Sequence, residues 1–209
     1  MKGERQLKRE LVRICRMLHQ KNFIAATDGN VSVRYGDLLL STPSGVNKGF
    51  MEEDQVITVD LEGRLLSGAG RPTSEIQMHL LAYRLRPEVG AVIHAHPPLA
   101  TACSIAGVSL EEPVLPEVVL TLRKIPTAAY ATPATAQVSE AIRELLKDYD
   151  AIILAHHGAV TVGRDLMEAY NKMEKLEHTA LVVLTARLLG GVSALPPEKV
   201  EKLLSMAPK

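Results

Sequence analysis

The sequence predicts a single α/β domain in which a mixed sheet is covered by helices on both faces, a three-layer αβα arrangement. Two observations predict it. The first part of the chain carries hairpin patterns, short apolar runs joined by Gly/Asp turns, and the remainder alternates strand-like runs with segments of helical periodicity. In addition, the 209 residues contain no linker, repeat or low-complexity stretch that would divide them, so 1–209 reads as one domain.

Taken in order, residues 4–21 set Leu7, Leu11, Val12, Ile14, Cys15 and Leu18 at helical spacing and predict a helix. Thr27-Asp28-Gly29-Asn30 is a turn cluster that feeds Val31-Ser32-Val33-Arg34-Tyr35, which alternates like a half-buried strand. Gly36-Asp37 turns the chain back into Leu38-Leu39-Leu40-Ser41, a hairpin, and Thr42-Pro43-Ser44-Gly45 follows as a loop. Val56–Val59 and Arg64–Leu66 flank Asp60-Leu61-Glu62-Gly63 as a second hairpin. Residues 73–85 predict a helix with Thr73 or Ser74 as N-cap and with Ile76, His79, Leu80 and Tyr83 on one side.

A strand over 90–94 runs into a proline turn and a helix over 98–106, and Pro113, Pro116 and Pro126 punctuate a less regular stretch. A helix fits 134–147 and a strand 151–155. A long helix fits 165–189, where Leu166, Ala169, Tyr170, Met173, Leu176, Glu177 and Ala180 trace a stripe read as core or subunit contact. Residues 196–209 read as a short, loosely attached tail.

Composition excludes several function classes. Lys plus Arg and Asp plus Glu each number 24, so net charge is zero and the basic footprint of a nucleic-acid binder is missing. Aromatic content of 3 % with no Trp leaves no platform for stacking nucleobases. No apolar run is long enough for a membrane helix, so no membrane partner is expected. The first residues open a charged amphipathic helix rather than a signal peptide. Cys15 and Cys103, in apolar helical contexts, read as buried free thiols, and a cytoplasmic location is expected.

The chemistry concentrates at two strand ends. Ala91-Val92-Ile93 ends in His94-Ala95-His96-Pro97, and Ala151-Ile152-Ile153-Leu154-Ala155 ends in His156-His157-Gly158, so four of the seven histidines sit there. Residues two apart in a strand share a face, so His94 and His96 aim two imidazoles at one point and a histidine from the second strand end adds a third. Three imidazoles with an open position make the pattern of a catalytic zinc site.

Around it, Gly29-Asn30 offers flexible backbone and an amide, and Ser44-Gly45 a hydroxyl beside a glycine that a phosphate oxygen can approach. Thr73-Ser74 offers two hydroxyls at an expected helix N-terminus, where an anion is favoured. Glu75, in that helix's first turn, is placed to reach the metal or the substrate carbon beside it and to serve as general base.

Gly29-Asn30-Val31-Ser32, Thr42-Pro43-Ser44-Gly45, Pro72-Thr73-Ser74-Glu75, His94-Ala95-His96-Pro97 and His157-Gly158, in this order and spacing, resemble the class II aldolase/adducin family, above all its L-fuculose-1-phosphate aldolases. The resemblance covers about residues 5–190 and leaves 191–209 as the tail. It implies a mixed, mostly antiparallel sheet between helical layers, one zinc ion per subunit, and a homotetramer with sites at subunit boundaries. It also implies reversible cleavage of a ketose 1-phosphate to dihydroxyacetone phosphate and an aldehyde. Under it His94, His96 and His157 are the zinc ligands, the family's third ligand being the histidine directly before glycine. Glu75 is a ligand at rest and the base when substrate enters, and Asn30, Ser44, Gly45, Thr73 and Ser74 form the phosphate pocket.

Two departures from the family pattern fall on the aldehyde side. The family's tyrosine downstream of the His-x-His pair is replaced by the stretch Pro113-Val114-Leu115-Pro116-Glu117, which makes Glu117 the alternative acid, and the tail from Leu195 onward contains no tyrosine. The same zinc site also serves a ribulose-phosphate 4-epimerase, a methylthioribulose-1-phosphate dehydratase and a sugar-acid phosphate decarboxylase. The non-catalytic adducin-like scaffold has no physical need for three ligand histidines and Glu75.

Overall fold

One eight-stranded sheet forms the centre of the computed structural model, which describes residues 2–206. Its strands are β1 (Asn30–Tyr35), β2 (Leu38–Ser41), β3 (Ile57–Val59), β4 (Leu65–Ser67), β5 (Ala91–Ala95), β6 (Thr127–Ala128), β7 (Ala151–Leu154) and β8 (Gly158–Gly163). They lie in the order β4-β3-β2-β1-β5-β8-β7-β6, and only β6 and β7 pair in parallel, so the sheet is mixed and mostly antiparallel. The helices are α1 (Glu4–Gln20), α2 (Ile76–Leu85), α3 (Pro98–Ile105), α4 (Pro116–Thr121), α5 (Ala136–Ile142), α6 (Leu145–Asp148), α7 (Leu166–Leu188) and α8 (Pro197–Met206).

The period-2 geometry of the strands divides the core in two. Val31, Val33, Ala91, Ile93 and Ala159 join Leu11, Leu18, Met173 and Leu176 in a cluster with α1, α3 and α7. Val92, Ile152, Val160 and Val162 join Met78, Leu80, Val138 and Leu146 on the face carrying α2, α5 and α6. His94 shares the parity of Val92 and so points to the α2 face. Asn30 sits directly opposite it, because β1 and β5 pair with Asn30 on His94 and Ser32 on Val92. Cys15 and Cys103 are buried free thiols, and burial pushes the Cys15 thiol up to about 12. No helix among the described residues is long and apolar enough to cross a membrane.

Several expectations are corrected. β8 is not announced by the sequence, because its glycines and small residues give neither a turn signal nor a clear alternation. The helix expected over 134–147 is two helices: Arg143 N donates to Glu140 O and Lys147 N to Glu144 O, tighter bonds that interrupt the α ladder. The proline-punctuated stretch contains α4, with Pro116 at its first position, where a missing N–H costs nothing. The tail forms α8 over Pro197–Met206, packed on α4 and tied by Leu195 N to Pro113 O at 2.8 Å, while 207–209 lie outside the described residues. Finally, α2 begins at Ile76 with Glu75 in the capping position, so neither Thr73 nor Ser74 caps it and Glu75 precedes the first turn.

Candidate active site

Two glycines let the site assemble. Gly29 has a φ of +67°, and a side chain there would meet Ile24 Cγ2 at 2.5 Å and the His94 carbonyl at 2.9 Å, so only glycine brings Asn30 into pairing with His94. A Cβ on Gly158 would meet the Ala95 carbonyl and lie 2.7 Å from His96 Cδ2. Glycine there allows the β7–β8 loop, Ala155-His156-His157, to close against the end of β5.

The structure brings His94, His96 and His157 together, with one ring nitrogen of each within 4.8 Å of the others. His94, next to last in β5, is fully buried, and His96 directly follows the strand, its backbone N–H donating to Phe23 O at 2.7 Å. His156 stands outside the cluster, exposed, with a φ of +60° and its ring edge-on to Tyr130. His94 Nδ1 lies 3.0 Å from Ala159 O. A carbonyl can only accept, so Nδ1 carries a hydrogen, which leaves Nε2 as the nitrogen that offers its lone pair when a metal binds.

Glu75 closes the fourth side. Its Oε2 lies 3.2 Å from His94 Nε2, its Oε1 3.5 Å from His157 Nε2, and Asn30 Nδ2 donates to Oε2 at 2.9 Å. Burial pushes the Glu75 carboxyl up. The interaction with His94 and the Asn30 N–H outweigh it and hold the group far below the usual carboxylate range. Burial, reinforced by the neighbouring His94, pushes His96 down to about 3 and lowers His157, so these two rings are neutral near neutral pH.

These residues fit a divalent metal. Glu75 Oε1 is buried and has no hydrogen-bond partner, a costly state for a carboxylate oxygen. His94 Nε2 and His96 Nε2 face each other at 3.0 Å. A cation among them converts facing lone pairs into ligation and gives the orphaned oxygen a partner; three imidazoles and a carboxylate are the donors such an ion takes.

The other expected residues divide. The loops carrying Ser44-Gly45 and Thr73-Ser74 are brought side by side by an antiparallel bridge between Pro43 and Pro72 and by Ser44 N donating to Arg71 O at 2.9 Å. Ser44, Gly45 and Ser74 are at least partly exposed, whereas Thr73 is buried and its Oγ1 accepts from Glu75 N at 3.3 Å. Asn30, expected at the phosphate, is held between Glu75 and His79, whose Nε2 lies 2.6 Å from Asn30 Oδ1. Glu117 sits in the first turn of α4 with an exposed side chain, and among the described residues no hydrogen bond or ion pair ties it to the histidine cluster.

Three supporting residues lie outside what the sequence announces. Glu177, read as core on the α7 stripe, accepts from Leu99 N and Ala100 N at 2.9 Å each and so caps α3 just after the His94-x-His96 turn. Asp28 faces His96 Nδ1 at 3.8 Å. Lys48 is buried with Nζ on the Thr27 carbonyl, and burial lowers its pKa. Of these, only Asp28 leaves a signal, its place in the turn cluster before Asn30.

Residues 9–184 match the family model described as "Class II Aldolase and Adducin N-terminal domain". The chain is 37 % identical over 171 residues to an L-fuculose phosphate aldolase of Methanococcus maripaludis, covering 82 % of this chain and 92 % of that one. It is 34 % identical over 187 residues to a 3-oxo-tetronate 4-phosphate decarboxylase of Escherichia coli K12, covering 87 % and 88 %. A solved structure of an L-fuculose-1-phosphate aldolase from Thermus thermophilus superposes with a TM-score of 0.78 at 33 % identity, covering 90 % of this chain and 98 % of that one.

Proposed function

Because this chain belongs to the class II aldolase and adducin family and is an enzyme of its lyase kind, we propose that it is a zinc-dependent aldolase. Its reaction is the reversible cleavage of a ketose 1-phosphate, of the L-fuculose 1-phosphate kind, to dihydroxyacetone phosphate and an aldehyde. The observation that carries this reading is the Glu75 carboxylate set against three imidazoles with one oxygen unpaired. Such a corner combines a Lewis acid with a base at one carbon, which is what breaking a C–C bond beside a carbonyl needs.

His94, His96 and His157 hold one zinc ion per subunit, with Glu75 as the fourth donor at rest. When bound, zinc supplies Lewis-acid polarisation of the substrate carbonyl. Ser44, Gly45, Thr73 and Ser74, on their two adjoining loops, bind the phosphate, and Asn30 adds the amide N–H that Glu75 leaves free. With the phosphate anchored, the substrate carbon next to the carbonyl faces Glu75. Glu75, ionised, removes a proton there in condensation and returns it after the aldehyde leaves in cleavage. Glu117 is the acid at the aldehyde oxygen, in a homotetramer whose sites lie at subunit boundaries. Two buried free thiols favour a cytoplasmic location.

A second reading has support of its own: decarboxylation of a 3-oxo sugar-acid phosphate. The 3-oxo-tetronate 4-phosphate decarboxylase relative covers as much of the chain as the aldolases do, and the aldehyde-side tyrosines are absent. Both reactions leave electron density on a carbon beside a polarised carbonyl and differ only in the group that departs. Dihydroxyacetone phosphate offered with a panel of aldehydes should give condensation products. Carbon dioxide release from a 3-oxo acid phosphate, with no condensation for any aldehyde, would replace the aldolase reading with the decarboxylase one.

A further inference from the structure

A file of buried polar side chains runs beneath Glu75, between β1 and α2. Tyr83 OH lies 2.8 Å from Ser32 Oγ, which lies 2.7 Å from His79 Nδ1. His79 Nε2 lies 2.6 Å from Asn30 Oδ1, and Asn30 Nδ2 lies 2.9 Å from Glu75 Oε2. Ser32 and His79 are fully inaccessible to solvent, and Asn30 and Tyr83 nearly so. Neither composition nor the metal chemistry requires a histidine here.

The direction of every bond in the file follows from its last member. An ionised carboxylate only accepts, so the amide N–H of Asn30 must face Glu75, and the amide oxygen must face His79. That oxygen also only accepts, so His79 Nε2 carries the hydrogen. In the neutral ring Nδ1 is then a bare acceptor and takes the Ser32 hydroxyl proton; Ser32 in turn accepts from Tyr83. All donors point one way, toward Glu75.

We propose that His79 is a positioning residue for Glu75: as the Nε2–H tautomer it locks the Asn30 amide with its N–H on Oε2, which fixes the carboxylate with Oε2 against His94 and the unpaired Oε1 against His157. The reverse amide orientation would set a carbonyl oxygen against a carboxylate and an N–H₂ against an N–H, in a place no water reaches. Ionisation of the ring would put a second hydrogen on Nδ1 and reverse the bond to Ser32, and burial holds His79 neutral, its pKa pushed down to about 3. The inference rests on Glu75 acting in the reaction, but its first readout does not depend on any reaction.

That readout is the ¹⁵N–¹H spectrum of histidine-labelled protein. His79 should show a single neutral tautomer protonated at Nε2, with a hydrogen that exchanges slowly, and Asn30→Ala, which removes the acceptor on Nε2, should convert it to a mixture. A ring protonated at Nδ1, or one indifferent to Asn30→Ala, overturns the proposal. For the metal, His79→Leu should weaken zinc affinity by about 10-fold to 100-fold in a competition assay, as loss of an outer partner typically does. His79→Gln, whose amide can still donate to Asn30 Oδ1, should recover most of it. In turnover, His79→Leu should lower kcat with KM little changed. A merely structural role predicts lower thermal stability in both variants, with zinc affinity and kcat per folded molecule at wild-type values, and that result rejects the positioning role. If the tautomer and zinc results hold while no aldol product forms, the proposed reaction fails and the positioning role stands.

Discussion

The two halves of the proposed site are built in opposite ways. The metal half is set on the buried end of β5 and the β7–β8 loop, and its carboxylate is braced through Asn30 to a file of side chains in the core. The aldehyde half rests on Glu117, exposed on the short helix α4, which itself leans on α7 and the terminal helix α8. Rigid strands hold geometry to fractions of an ångström, whereas a surface helix can change its residues without disturbing a core. The difference teaches where family chemistry and substrate choice are kept. Under the proposed function, chemistry shared by aldolases and decarboxylases would need the braced half, and the departing group would be read by the other.

That division can be broken by substitution. The largest effect is expected from His96→Ala, which should lose bound zinc and reduce activity at least about 10³-fold, as removal of a Lewis acid implies. Zinc content per chain and rate are the measurements, and full activity after exhaustive chelation would show that no metal is needed. Next, Glu75→Gln should retain zinc while lowering proton exchange at the dihydroxyacetone phosphate carbon by about 10² to 10⁴-fold, the range of general-base contributions. Unchanged exchange would remove Glu75 from the base role.

On the other side, Glu117→Gln should cost at most about 10²-fold, the low end of general-acid effects. The loss should fall on cleavage and spare proton exchange, because exchange does not involve the aldehyde. Equal losses in both would place Glu117 with the metal half and erase the comparison. Glu177→Gln should act through structure alone. An amide can accept only one of the two N–H groups at the start of α3, so stability should fall by about 1–3 kcal/mol in urea unfolding.

How much of this is legible in the sequence follows the same line. The histidines are visible because strand periodicity is local: His94 and His96 are two apart, and apolar runs announce β5 and β7. Asn30 reads as a loop amide because its real neighbours come from elsewhere in the chain. It meets His94 through pairing of β1 with β5 and His79 through the packing of α2, and no local pattern encodes either. Glu177 sits within an apolar stripe, where a carboxylate looks like an exception to the core rather than a cap for a helix in another part of the sequence. Lys48 lies in a single 3₁₀ turn whose residues carry no periodic signal. β8 is hidden by its own composition, small residues between glycines.

The last prediction, of a size with that for Glu177→Gln, is a pH dependence, and it tests whether the braced half carries a cost the exposed half does not. Burial lowers His79 from an ordinary value of 6.5 to about 3. Between those values the unfolded chain binds a proton that the folded chain refuses, so acid favours unfolding. The stability His79 contributes is therefore complete above about pH 6.5 and is lost as pH falls toward 3, at about 1.4 kcal/mol per unit. His79→Gln has no such group. Urea unfolding of the metal-free protein and the variant should show their stability difference narrowing by about 2 kcal/mol from pH 7 to about pH 5. Chelator in every sample removes protons linked to metal release, and the metal-ligand histidines, common to both proteins, cancel in the difference. A constant difference would mean that the folded protein admits the proton at His79. A charged ring still donates Nε2–H to Asn30 Oδ1 but puts a second hydrogen on Nδ1, so Ser32 must turn from donor to acceptor and the file no longer runs one way.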